Sequence, residues 1–124
     1  MFAVVICEDN YLDFYKQHLI SLKVDLSNII SPKELSPLAS DIYNNYLLKR
    51  ADAVIILTPK DSFNFYISKV CKTHYEINKI ITVVNNSDNQ EIFQSIGVKD
   101  ILDFNYFAKE AIDKYLNEEK KACI

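Results

Sequence analysis

Short, continuous apolar runs alternate along the chain with longer stretches in which apolar residues recur every three or four positions. Phe2 to Ile6 is the first such run, and it stops at Glu8 and Asp9, the pattern of a strand buried on both faces. Leu12, Tyr15, Leu19 and Leu22 follow at helical spacing. Asn28 to Ile30 predicts a short strand. Ser31-Pro32-Lys33-Glu34 then predicts a helix start, with Ser as N-cap, Pro at the first position and Glu three residues on. Ser36-Pro37 offers a second start nearby, and Leu35, Leu38, Ile42 and Tyr46 supply the expected buried face. The clearest strand is Ala53 to Leu57, between Asp52 and Thr58-Pro59, and Phe63, Ile67, Val70 and Cys71 form the next helical stripe. Lys79 to Val84 predicts another buried strand, closed by Asn85-Asn86. The helix after it carries Ile92, Phe93 and Ile96 and ends at Gly97 in a left-handed cap. Asp100 to Leu102 predicts a last strand. Ala108, Ala111, Ile112, Tyr115 and Leu116 line a final helix, and Glu118 to Ile124 reads as a frayed tail.

Five β/α units in succession predict a doubly wound, five-stranded parallel sheet with helices on both faces, a three-layer α/β sandwich. With 124 residues and no linker or low-complexity stretch, residues 1–124 are expected to form one domain. Composition adds mainly exclusions. Apolar residues make up 49% and charged residues 25%, an ordinary globular balance, and the net charge of −3 gives no basic footprint for nucleic acid. No apolar run approaches the roughly 20 residues of a membrane helix, and Met1 to Cys7 lacks the basic region of a signal peptide. Cys7, Cys71 and Cys123 are scattered, without a CxxC pair, which suggests a reducing, cytoplasmic setting.

The residues from Ala51 onward carry a resemblance. Ala51-Asp52-Ala53-Val54-Ile55 followed by Leu57-Thr58, then Asp61 and Asn64, then Val84-Asn85-Asn86, Glu91-Ile92-Phe93 and Gly97-Val98 resemble in order the segments ADAVI-x-LT, T-x-x-D-x-x-N and RVNN…ELF…LGV of the N-terminal RCK family (TrkA-N type). Upstream, Val5 to Asp9 is similar to the family's second Rossmann strand, which ends in an acidic ribose-binding residue. The resemblance implies a Rossmann-like, non-catalytic regulatory domain associated with potassium transport, pairing as a homodimer and acting on a membrane channel or transporter. It also implies an adenine nucleotide as ligand.

The departures bear on that ligand. The glycine-rich turn is absent, since the one glycine is Gly97, and backbone N–H groups then have no glycine to let them approach a pyrophosphate. The ribose acid would fall on Cys7, and the usual Gly-Asp-Ala-Thr segment is missing between Asn28 and Leu35. These losses together argue against dinucleotide binding. Removing the central strand of a Rossmann sheet would strand rows of backbone groups, so either Phe2–Ile6 moves to the centre or the chain is a fragment. The first option gives the flavodoxin-like order 2-1-3-4-5. That order brings a second resemblance: Ile6-Cys7-Glu8-Asp9-Asn10 looks like the acidic end of strand 1 in receiver domains. The phospho-accepting Asp is replaced by Leu57 or Thr58, the strand-4 Ser/Thr by Asn85 and the strand-5 Lys by Asp103 or Phe104. The alternative function is therefore a degenerate receiver acting as a protein-interaction module.

Cys7, Glu8, Asp9, Thr58, Asp61, Asn64 and Asn85 fall at the carboxyl ends of predicted strands, the edge where open α/β sheets bind ligands. Glu8 and Asp9 are the candidates for a divalent cation held by oxygen ligands. Each residue also has a plainer explanation. Glu8 and Asp9 suit a solvated helix start, Thr58 or Asp61 a helix cap, Asn85 and Asn86 a turn and cap, and Cys7 a packed thiol. His18 and His74 lack partners at ligand spacing, and no constellation points to an enzyme. Eight tyrosines and seven phenylalanines exceed what a core of this size can hide. Exposed aromatic surface of that kind marks association and favours a homodimer.

Overall fold

The structure, a computed structural model, describes residues 1–23, 25–35 and 42–122. Five parallel strands form one sheet in the order β2-β1-β3-β4-β5. They are β1 (Ala3–Cys7), β2 (Ile29–Ile30), β3 (Ala53–Leu57), β4 (Lys79–Val84) and β5 (Asp100–Asp103). The helices are α1 (Asp9–Ser21), α2 (Tyr46–Arg50), α3 (Asp61–Thr73), α4 (Gln90–Ser95) and α5 (Phe104–Ala122), with 3-10 turns at Leu26–Asn28, Pro32–Leu35, Ile42–Asn44 and Ser87–Asn89. The predicted order 2-1-3-4-5 is therefore observed. β1 runs inside the sheet between β2 and β3, with Ala3 opposite Ala53 through Cys7 opposite Leu57. It fills the place of the first Rossmann strand, not of the second to which Val5–Asp9 bears its likeness.

Alternation along each strand divides the apolar residues between two faces. On one face Val4, Ile6, Val54, Ile56, Ile80 and Val84 meet Leu35, Ile42, Leu48 and the inner stripe of α3 and α4. Ile67, Val70 and Cys71 of that stripe are buried as their spacing predicts, as is Phe93. On the other face Val5, Cys7, Leu57 and Val83 pack with Leu12 and Leu19 of α1. Ile55, Ile81 and Leu102 on this side stay only half-buried.

Two local signals in the sequence are realised in detail. Glu34 Oε2 accepts the Ser31 N–H at 3.1 Å, the half of the capping box that the Glu supplies, while the Glu34 N–H bonds the Ser31 carbonyl at 3.0 Å as the backbone bond of a 3-10 turn. Gly97 (φ +88°) closes α4: its N–H bonds the Gln94 carbonyl, and the Val98 N–H bonds the Phe93 carbonyl. That is a Schellman closure, with Phe93 and Val98 both in the core.

Several expectations are corrected. Tyr46 is 68% exposed rather than buried, because it opens α2, whose inward residue is Leu48. Leu22 is 61% exposed because α1 stops at Ser21, and Ile92 is 48% exposed beside buried Phe93. The expected tail from Glu118 is helical to Ala122. The apolar residues expected to line a core from Ala108 to Leu116 do not: every described side chain from Ala108 to Glu118 is exposed, including Ile112, Tyr115 and Leu116 at 57%, 61% and 49%. Ser36-Pro37, Leu38 and Cys123, and the side chain of Tyr15, lie outside the described residues.

Exposed Glu76, in the turn between α3 and β4, has φ +56°, a conformation costing an L-residue about 1 kcal/mol or more. Glu76→Gly is expected to raise stability by about 0.5–1 kcal/mol after the entropy glycine adds to the unfolded chain. Urea denaturation checks this, and a loss would show that the Glu76 side chain supports the turn.

Candidate functional site

Four of the seven candidate residues come together at the carboxyl ends of β3 and β4. Thr58 leaves β3 at 3% exposure, and its hydroxyl donates to Asn64 Oδ1 at 2.5 Å. Asn64, fully buried in the first turn of α3, donates through Nδ2 to the carbonyls of Thr58 (3.0 Å) and Val83 (2.9 Å). Asn85 Nδ2 reaches the Thr58 carbonyl at 3.1 Å and Asp61 Oδ1 at 2.9 Å. Asp61, the first residue of α3, also accepts the Asn85 N–H (2.7 Å), the Asn86 N–H (2.9 Å) and Asn89 Nδ2 (2.8 Å). The polar groups at this edge thus spend their bonds on one another, and they join the turn after β3 to the turn after β4. Asn86 caps the Ser87–Asn89 turn through the Asp88 N–H, as its Asn-Asn context predicts.

Cys7, Glu8 and Asp9 stand apart from that network. Cys7 packs at 2% exposure with Val5, Leu19 and Leu57, and burial, then the Asp9 charge, pushes its thiol up. Burial likewise pushes the Cys71 thiol to about 12, so neither sulfur is an activated nucleophile. Glu8 holds the N-cap position of α1 without a side-chain cap bond, and with Asp9 it lines a hollow of about 420 Å³ completed by Ser31, Pro32 and Lys33. Among the described residues no three His, Cys, Asp or Glu side chains gather as a cation would need. The entry to α1 does not fit a pyrophosphate either. It has no glycine, and two carboxylates stand where a nucleotide brings negative charge.

Sequence reasoning gave Asp103 only as the replacement of a receiver lysine. It ends β5 at 6% exposure. Its Oδ1 accepts the Tyr106 N–H (3.1 Å), capping α5, and its Oδ2 accepts the hydroxyl of Ser87 (2.6 Å) and Nε2 of Gln90 (2.8 Å). An Asp three residues before the N–H it caps is a readable signal; its grip on Ser87 and Gln90 is not. A second hollow, of about 300 Å³, lies between α3 and α4, lined by Asp61, Ser62, Phe65, Asn89, Ile92 and Phe93.

Both acids sit below the ordinary value of 3.8. Burial acts to raise Asp61 but is outweighed by the donors from Asn85, Asn89 and Asn86; Asp103 is lowered first by Ser87, burial opposes this, and the Tyr106 N–H, Gln90 and the Asn105 N–H together keep it low. A carboxylate lowered in the folded state contributes stability above its unfolded value and loses it as pH falls through the folded one. Stability is therefore expected to stay level from neutrality to about pH 4 and to fall below it. Asp61→Asn and Asp103→Asn each flatten that fall; an unchanged acid limb in denaturant titrations would show that neither carboxylate is held as described.

A family model for the TrkA-N domain matches residues 35–103. Among solved structures the chain is similar to the crystal structure of the GsuK RCK domain, with TM-score 0.72 and 16% identity over 97% of this chain. The match spans 29% of that longer chain. Comparison with curated proteins gives no match. The sheet order agrees with this fold, no described helix is long and apolar enough to cross a membrane, and the matched residues include the whole β3–β4 edge. The chain belongs to the TrkA-N family, the N-terminal RCK type of regulatory domain.

Proposed function

We propose that this chain is a non-catalytic regulatory domain of a potassium channel or transporter, working in the cytoplasm as a homodimer that pairs through α5. One observation carries the reading: α5 carries an apolar stripe, Ala108, Ala111, Ile112, Tyr115 and Leu116, and all of it is exposed. A helix stripe of this kind is stable only against another element. The same chain leaves Ile55, Ile81 and Leu102 half-buried on the sheet face that meets Leu12 and Leu19 of α1. A second copy supplies the missing layer for both surfaces.

Regulation then rests on pairing and on whatever state of the partner the pair prefers, since a domain gates only by binding one state better than another. The inward-turned network at Thr58, Asp61, Asn64 and Asn85 and the carboxylates at the entry to α1 support a domain that does not grip a dinucleotide. Sedimentation tests the pairing, with a concentration-dependent dimer expected and a monomer at every concentration overturning it. A thermal-shift screen tests the ligand side: ATP, ADP and NAD at millimolar levels are expected to leave the melting temperature unchanged. A ligand at a hundredfold excess over its Kd would add about 2.7 kcal/mol. A calcium or magnesium shift abolished by Glu8→Gln would instead establish Glu8 and Asp9 as a cation site.

The degenerate-receiver reading shares the 2-1-3-4-5 order, but the family match across β3 and β4 favours the RCK type.

A further inference from the structure

The turn from Asn85 to Gln90 is held from two sides by interleaved residues. Asn85, Asn86 and Asn89 bond Asp61 at the start of α3. Ser87 and Gln90 bond Asp103, and the Asn85 carbonyl accepts Asn105 Nδ2 at 2.5 Å, both at the start of α5. Asp103 is the pivot. One carboxylate oxygen caps α5 through the Tyr106 N–H and the other clips the turn. The described part of α5 beyond this point is exposed, so these bonds at its base act on a helix that the rest of the domain leaves free along Ala108 to Glu118.

A shift of the α3 start must therefore either part Asp61 from the turn or carry the turn, and with it the base of α5. We propose that the turn Asn85–Gln90 is a relay through which the state of the Asp61 network sets the direction of α5. The hollow of about 300 Å³ bordered by Asp61 and Asn89 places the input end of this relay at an accessible surface. The consequence for pairing rests on the reading of α5 as the dimer helix; the relay itself is a property of a single chain. Asp61, Ser87 and Gln90 are positioning residues here.

The experiment measures the distance distribution between spin labels on α3 and α5 by pulsed electron resonance. It uses the full chain with Lys69→Cys, Lys114→Cys and Cys123→Ser, diluted into unlabelled protein so that only distances within one chain are read. Cys7 and Cys71 are buried. Ser87→Ala with Gln90→Ala removes the clip and keeps the cap, and is expected to broaden or shift the distribution. Asp61→Ala, or Asn89→Ala if the former does not fold, is expected to do the same although their bonds run to each other and to the turn. Combining the two sets is expected to add little, since they act on one element. Unchanged α5 distances in Asn89→Ala and Asp61→Ala, or purely additive changes, overturn the relay. In the dimer, the same variants are expected to shift the dissociation constant about fivefold or more. A monomeric wild type removes that arm and the pairing proposal, while the distance measurement still decides the relay.

Discussion

Phe93→Ala is expected to lower the free energy of unfolding by about 3–5 kcal/mol, the range for truncating a buried aromatic. Phe93 is 1% exposed and sits where three features meet. Its ring packs edge-on against Phe65, centroids 5.7 Å apart at 84°. It touches the main core on the α3–α4 face, and its carbonyl takes the Val98 N–H that closes α4. Alanine removes the ring contact and leaves a void beside a hollow of about 300 Å³ that already lies between α3 and α4. Against a typical total of 5–15 kcal/mol the loss removes about a fifth or more of the stability. Urea unfolding with an unchanged slope is the measurement. A loss below about 2 kcal/mol would show that α4 slides inward and fills the void, so that the hollow is not a fixed feature of the fold.

The second large effect concerns association. Ile112→Glu with Tyr115→Glu is expected to weaken the dimer at least about a hundredfold, near 2.7 kcal/mol, and to leave the melting temperature of the monomer close to wild type. Both side chains are more than half exposed in the single chain, at 57% and 61%, so the monomer gives up little. In the pair they would be covered, and two carboxylates would then lose water without a partner. Lys109→Ala and Asp113→Ala, between the apolar positions, serve as controls that keep the dimer. Equal losses from both sets would mean that α5 pairs through its charges, and an unaffected dimer would move the interface elsewhere.

β3 and β4 were legible to the residue because each apolar run is bounded by polar residues, Asp52 and Thr58 on one, Asn78 and Asn85 on the other. Gly97 was legible because only a left-handed turn needs a glycine there. The central place of β1 followed from topology rather than from its residues. The fate of α5 was not legible: periodicity reveals a stripe but not what the stripe meets. Nor was the true character of the candidate edge. Asp61 and Asn85 are 24 apart in the chain, and their contact depends on the register of β3 against β4, which local pattern does not encode. The structural role of Asp103 was not legible either, because Ser87 and Gln90 lie 16 and 13 residues away in the chain.

The central position of β1 also governs the order in which the molecule can be built. Its two-residue pairing with β2 is slight, and its main ladder joins Ala3–Cys7 to Ala53–Leu57, a separation of 50 residues like that between Phe2 and the Asp52 carboxylate that accepts its N–H. On a ribosome adding roughly 5–20 residues per second, β1 waits several seconds for β3. During that interval Ala3 to Cys7 is an uncovered apolar segment with free backbone edges, and long-range parallel pairing is slow to relieve it. Shielding β1 until Leu57 emerges is thus the kinetic burden of this topology.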